Sequence, residues 1–312
     1  MEALEHCNLC RGSRFTPFAE LIGPTTGLRL QVVTCEGCGL RFMSPRMSES
    51  ENAALYDEAY FNGHGFDGSI NYVDQEEERV ARAEETAGTL EKLALFKPGT
   101  ALRVLDVGCG TGGLLTALTA AGYRDVWGVE LSPYAAAIAK DRSGTRVLVG
   151  DILSAELPAG SFDAINATEV IEHLRDPRAF FDRVYDLLAP GGVFLYSTGN
   201  SRCLYARVLG KRWPYLLEGH LFYFDPSTLA RYFRDAKLAA VDTRELGRET
   251  HHAFVRAEGR IARGQLLFVG RGDSGLKGKI YRFASVFDSS ITRLAMTRML
   301  GKDTMPIAFK RA

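Results

Sequence analysis

The segment that most restricts the fold of this chain is Val104-Leu105-Asp106-Val107-Gly108-Cys109-Gly110-Thr111-Gly112-Gly113. A short apolar run enters closely spaced glycines and then Leu114, Leu115 and Leu118, an apolar stripe at helical spacing. Strand, tight turn and helix in that order let backbone approach a ligand at the carboxyl edge of a sheet. Downstream, apolar runs at Arg103–Val107, Val126–Glu130, Arg146–Val149, Phe162–Ala167 and Val193–Ser197 alternate with helix signals. Ser132-Pro133, Asp176-Pro177 and Asp225-Pro226 each place a cap before a proline, and Pro190-Gly191-Gly192 reads as a turn. Leu238 to Val241 reads as a sixth strand. The pattern predicts an α/β, doubly wound, mostly parallel sheet covered on both faces.

Glycines alone say little about the ligand, but two acids narrow it. Glu130 closes the second strand 20 residues after Gly110, and Asp151 follows the third. Carboxylates at those points can accept ribose hydroxyls and an adenine amino group, which describes an adenosine cradle. Asp106 adds negative charge where the diphosphate of a dinucleotide would lie, so the site suits a ligand carrying a sulfonium or ammonium group.

These residues resemble the class I S-adenosylmethionine (SAM)-dependent methyltransferases, whose glycine motif and following acids match Asp106 to Gly112, Glu130 and Asp151. The resemblance extends through Phe162-Asp163-Ala164-Ile165, Glu169-Val170-Ile171-Glu172-His173-Leu174 and Leu188-Ala189-Pro190-Gly191-Gly192, covering roughly residues 100 to 245. It implies a Rossmann-like sheet of seven strands and a SAM site formed by Asp106, Gly108, Gly110, Gly112, Glu130, Leu131, Asp151, Ile152 and Glu169.

The cysteines carry a second message. Cys7-Asn8-Leu9-Cys10 and Cys35-Glu36-Gly37-Cys38 are two CxxC knuckles, and two such knuckles facing each other complete a tetrahedral S4 shell suited to zinc. All four positions would be filled by protein, so the ion would be structural. A redox reading of CxxC needs a βαβ context that this stretch lacks. A four-Cys ribbon followed by Tyr56-Asp57-Glu58-Ala59-Tyr60-Phe61 resembles a subgroup of small-molecule and sugar methyltransferases. The expected organisation is therefore a zinc ribbon at 1–48, a helical linker or lid at 49–98 with a helix over Val80 to Ala94, a SAM-binding core at 99–245, and a basic extension at 246–312. Met305 to Lys310 is expected to return as an edge strand.

Methyl transfer to a hydroxyl or carbon acid needs a base, and histidine is the side chain most readily poised near neutrality. His220 and His173 are the candidates; His173 could equally be a structural partner of Glu169 one helical turn away. Tyr60 and Tyr223 are expected to line the acceptor pocket, under a lid containing Trp213, Pro214 and Tyr215. His251-His252 reads as surface, Cys109 as packing, and Cys203 has no assigned role.

Composition limits the alternatives. Hydrophobic residues at 46% and charged residues at 24% exclude a disordered or collagen-like chain. The start is acidic and no apolar run reaches about 18 residues, so neither a secretory signal nor a span is expected and the reading is cytoplasmic. Net charge is zero, yet residues 260–312 hold 11 Lys or Arg against three Asp, a balance of +8. Such a tail could grip RNA phosphates or an anionic membrane beside a lipid-linked acceptor. The acidic remainder and the lack of stacking aromatics among basic residues in the ribbon weigh against RNA. The leading expectation is methylation of oxygen or carbon in a small molecule, such as a sugar, nucleotide-linked sugar or natural-product intermediate. The rivals are a zinc-ribbon RNA methyltransferase and a non-catalytic SAM-binding protein.

Overall fold

The computed structural model describes residues 1–64, 72, 101–240, 253–256 and 309–310. The expected helix over Val80 to Ala94, His251-His252 and most of the basic extension, with its expected membrane contact, lie outside the described residues. No described helix is long and apolar enough to cross a membrane.

The chain opens with three antiparallel strands, β1 (Phe15–Ile22), β2 (Arg29–Cys35) and β3 (Arg41–Met43), followed by two short helices, α1 (Glu49–Ala53) and α2 (Glu58–Phe61). Then come β4 (Arg103–Val107), α3 (Gly113–Ala120), β5 (Asp125–Glu130), α4 (Pro133–Ser143), β6 (Arg146–Val149), β7 (Phe162–Thr168), α5 (Pro177–Leu187) and β8 (Leu188–Ser197). A helical excursion, α6 (Leu204–Leu209), precedes β9 (Phe222–Tyr223), α7 (Pro226–Asp235) and the short strands β10 (Ala239–Ala240), β11 (Ala253–Arg256) and β12 (Phe309–Lys310).

The main sheet has the order β10-β12-β11-β8-β7-β4-β5-β6, in which β8, β7, β4, β5 and β6 run parallel. Its order reverses between β4 and β7, the point outside which open α/β sheets bind ligands. Seven strands were expected; the described residues give five parallel strands and three short ones. The chain's final strand was expected at an edge, but β12 pairs with both β10 and β11.

Alternation along the strands divides the core. Val104, Ala164, Val193 and Leu195 face α3, whose Leu115 and Leu118 cover them, whereas Leu105, Ile165, Phe194 and Tyr196 join Phe180 and Phe181 of α5. The three proline-bearing caps form as expected: Ser132 accepts from the Ala135 amide, Asp176 from Ala179, and Asp225 from Ser227 and Thr228. Pro190-Gly191-Gly192 does not end a loop before a strand. It lies within β8, where the register shifts against β7 and Gly191 takes φ of 78°.

The amino-terminal strands do not form a separate body. Cys7, Leu9, Leu30, Leu40 and Phe42 belong to the same buried cluster as Phe181, Tyr232 and Phe233. Asn8 is bound from three sides: it donates to Asp176 and accepts from the Tyr232 hydroxyl, each at 2.8 Å, while Arg178 donates to its carbonyl at 3.2 Å.

Phe181 is the junction of this packing, with ring centroids 4.8 Å from Phe233, 5.4 Å from Phe180 and 5.5 Å from Tyr232. Phe181→Ala should cost roughly 3–5 kcal/mol, read as a lowered urea midpoint, and an unchanged midpoint would contradict a shared core.

Candidate active site

Three left-handed glycines shape the turn after β4. Gly108, Gly110 and Gly112 have φ of 66°, 54° and 87°, where residues with a Cβ are strained. At Gly112 a Cβ would come within 2.8 Å of the Ala139 Cα atom, so glycine also allows α3 and α4 to approach. The turn aims the Gly110 amide at the buried Glu130 carboxylate, 2.8 Å away, and the Ser132 amide donates to the other oxygen at 2.9 Å. These two backbone donors orient the carboxylate.

Asp106 is buried on β4 and accepts from the Asn166 side-chain amide at 2.7 Å, while the Asn166 oxygen accepts from Thr168 at 3.0 Å. Asp151 is exposed after β6 and accepts from the Leu153 amide at 2.8 Å. Ile152 is buried, whereas Leu131, Val149 and Leu153, at and beyond the ends of β5 and β6, expose apolar side chains. Open apolar surface beside oriented carboxylates fits an adenine ring and its ribose.

The next acids lie at the end of β7. Glu169 takes φ of 54°, and Ile171–His173 form a single 3-10 turn. Glu169 and His173 are therefore not the helical neighbours that their spacing suggests. A left-handed glutamate costs roughly 1–2 kcal/mol, and here it turns the backbone so that its carboxylate meets the Ser197 hydroxyl at 2.7 Å and that of Tyr215 at 3.3 Å. Glu172, fully buried, accepts from Thr198 at 2.9 Å and from the same Tyr215 hydroxyl. One phenol proton serves two carboxylates. Desolvation by the surrounding protein, then repulsion from Glu172, pushes Glu169 up to about 8, although the residue itself is exposed. Burial also raises Glu172.

His173 and His220 pack edge to face with centroids 4.7 Å apart, and donor atoms of Glu172, His173 and His220 lie within 4.8 Å of one another. His220 Nδ1 is 2.8 Å from the Tyr215 carbonyl. A carbonyl only accepts, so Nδ1 carries the proton and Nε2 is the basic atom of the neutral ring. Burial, then the charge His173 can carry, holds His220 well below the usual histidine range. His173 Nδ1 lies 2.8 Å from both the Gly219 carbonyl and the Tyr56 hydroxyl. Tyr60 is buried with its ring against Tyr56 and its hydroxyl 2.8 Å from that of Tyr72. Tyr223 is buried too, packing against Trp213 and donating to the Leu217 carbonyl at 3.4 Å. Tyr223 also packs against His220, whereas Tyr60 reaches the histidines through Tyr56. Sequence reasoning missed Asn166, Glu172 and Thr198 and gave Tyr215 only an aromatic role; an asparagine in an apolar strand was the available signal.

In the ribbon, the Cys7 and Cys38 sulfurs are 3.6 Å apart, those of Cys10 and Cys35 3.5 Å, and all four lie within 4.8 Å of one another. Ligands about 2.3 Å from a tetrahedral zinc stand about 3.8 Å from each other, so the donor set fits that ion. The knuckles share one backbone plan: the Arg11 and Gly39 amides close onto the Cys7 and Cys35 carbonyls, with φ of 62° and 79°. Exposed His6 lies outside the cluster.

A family model described as a methyltransferase domain matches residues 53–243. A ubiquinone biosynthesis O-methyltransferase from Aromatoleum aromaticum is 33% identical over 153 residues, 45% of this chain and 65% of that protein. One from Xanthomonas campestris is 34% identical over 154 residues, 45% of this chain and 64% of that protein. The match thus spans just under two thirds of these relatives' length. Among solved structures, magnesium protoporphyrin IX methyltransferase from Synechocystis superposes with a TM-score of 0.44 at 20% identity, covering 58% of this chain and 88% of that one.

The Glu169 environment has a pH signature. An acid raised by the fold adds stability at low pH, and this is lost as pH rises from its ordinary 4.5 to about 8. Glu169 is exposed, so solvent screens much of this contribution; Glu169→Gln removes the titration, and its urea stability should decline slightly less than the parent's across this window, whereas equal slopes would contradict the raised carboxyl.

Proposed function

This chain belongs to the methyltransferase domain family, and on that premise we propose that it transfers the methyl group of SAM to an oxygen of a small-molecule acceptor. The observation that carries the reading is His220, buried and neutral with its proton held on Nδ1 by the Tyr215 carbonyl, beside His173 at the end of the sheet where Asp106 and Glu130 are displayed. SAM supplies an electrophilic methyl on a sulfonium. The residues expected to hold it are Asp106, the glycines 108, 110 and 112, Glu130, Leu131, Asp151, Ile152 and Glu169. Of these, the Asp106 and Glu130 carboxylates beside the turn favour a cation over a diphosphate.

His220 Nε2 accepts the proton of the acceptor hydroxyl as that oxygen bonds to the methyl carbon and the carbon–sulfur bond breaks. The imidazolium so formed is stabilised by Glu172, whose carboxylate has Thr198 and Tyr215 as donors. His173, oriented through Gly219 and Tyr56, is the second basic ring. Alignment of the hydroxyl with the methyl group supplies the rest of the acceleration. The names of the relatives favour an oxygen acceptor.

The same reading assigns zinc to Cys7, Cys10, Cys35 and Cys38, as a structural ion with no position open for chemistry. Cys35→Ser should reduce zinc measured by mass spectrometry from about one per chain to a small fraction; undiminished zinc would remove this assignment.

The function is tested by mass spectrometry of reactions containing SAM and a panel of catechols, phenols, amines and sugars. A methyl ether of a hydroxyl-bearing acceptor is expected, and His220→Ala should slow its formation roughly 10²–10⁴-fold with SAM still bound. Methylation of amines alone would overturn the oxygen acceptor, and undiminished turnover in the variant would overturn the base.

A further inference from the structure

The ribbon and the acceptor segment are built as one piece. Strand β9 completes the ribbon's sheet, in the order β1-β2-β3-β9, with Arg41 opposite Tyr223 and Phe42 opposite Phe222. The peptide of Leu221, next to His220, is held from both sides: the Met43 amide donates to its carbonyl at 2.9 Å, and its own amide donates to the Glu172 carbonyl at 2.8 Å. Two residues before His220, fully buried Glu218 reaches into the turn between β1 and β2. There its carboxylate accepts from the Thr25 amide at 2.8 Å, the Thr26 amide at 3.3 Å and the Thr26 hydroxyl at 2.7 Å. Gly23 lies so close to this carboxylate that any Cβ there would collide with it. A carboxylate buried in this way, 193 positions from the amide it binds, has no solvent to replace these donors.

We propose that the ribbon is the positioning element for His220, with Glu218 and Thr26 as the latch that fixes the segment from Leu217 to Phe224 and so the depth and orientation of the imidazole. The inference rests on the reading of His220 as the base. Glu218 and Thr26 act only through that ring, because they lie on the ribbon side of the segment. The titratable groups around His220 are Glu172 and His173 on the 3-10 turn, Tyr215 on the preceding loop and Tyr223 on β9. Thr26→Val alters none of them; Glu218→Gln also removes a carboxylate two residues from His220, and loss of that charge alone would lower the His220 midpoint.

The test uses the full chain with 15N-labelled histidine, observed by NMR across pH, with SAM calorimetry alongside. In the parent, His220 should show the Nδ1–H tautomer and titrate below the ordinary histidine range. Thr26→Val and Glu218→Gln should move that midpoint toward 6.5 by about half a unit or more, and Thr26→Ser should restore the parent curve. SAM affinity should stay within about twofold in all three.

Folded Thr26→Val with a parental His220 curve would overturn the proposal, as would a parallel loss of SAM affinity, which marks general loosening. Should Glu218→Gln fail to fold, the Thr26 pair decides alone. The reading it rests on fails differently: His220→Ala would then keep full turnover while Thr26→Val still shifts the His220 titration.

Discussion

The hydrogen bond from the Gly110 amide to the Glu130 carboxylate, 2.8 Å long, is the contact on which the site depends. It exists only because β4 and β5 are parallel neighbours in register, Val107 beside Val129, and because the turn after β4 visits left-handed backbone three times in five residues. Asp106 is fixed from the other side by Asn166 on β7. Three adjacent strands, β7, β4 and β5, thus each present one polar group at the edge where the sheet order reverses. Apolar alternation behind those groups keeps the strands buried on both faces, so the carboxylates are carried by the most rigid part of the fold.

A second feature is the sharing of polar partners over long sequence distances. Tyr215 bridges Glu169 and Glu172, Leu221 joins the ribbon to the acidic turn, and Glu218 closes onto the β1–β2 turn. Each buried carboxylate has hydrogen-bond donors, as burial requires. The amino-terminal ribbon therefore contributes to the same core and the same polar network as the sheet. Its four thiols fit a metal, while backbone pairing, a shared apolar cluster and the side chains of Asn8, Arg178 and Glu218 join it to the rest of the molecule.

Much of the sheet was legible from local pattern. The apolar runs, the proline-bearing caps and the glycine turn are encoded within a few residues of where they act, and the five parallel strands follow from them. The CxxC knuckles were legible for the same reason. The remainder is non-local. Pairing of β3 with β9 joins residues about 180 apart, and two-residue strands such as β9 and β10 carry too little periodicity to be seen. The positive φ of Glu169 was invisible because glutamate rarely adopts it, so a helical i,i+4 reading of Glu169 and His173 was the natural error. Glycines at 191 and 192 looked like a turn, although one of them serves a bulge inside β8. Tyr215 and Glu172 could be read as a lid ring and a surface acid until the fold placed one hydroxyl between two carboxylates.

Glu130, oriented by Gly110 and Ser132, is the residue proposed to receive the ribose of SAM. Calorimetric titration of the folded chain and of Glu130→Ala with SAM tests it most directly. One site of micromolar affinity is predicted for the parent, weakened roughly a hundredfold or more in the variant because two charge-assisted hydrogen bonds are lost. Equal affinity in the two proteins, or no binding by the folded parent, would contradict the account.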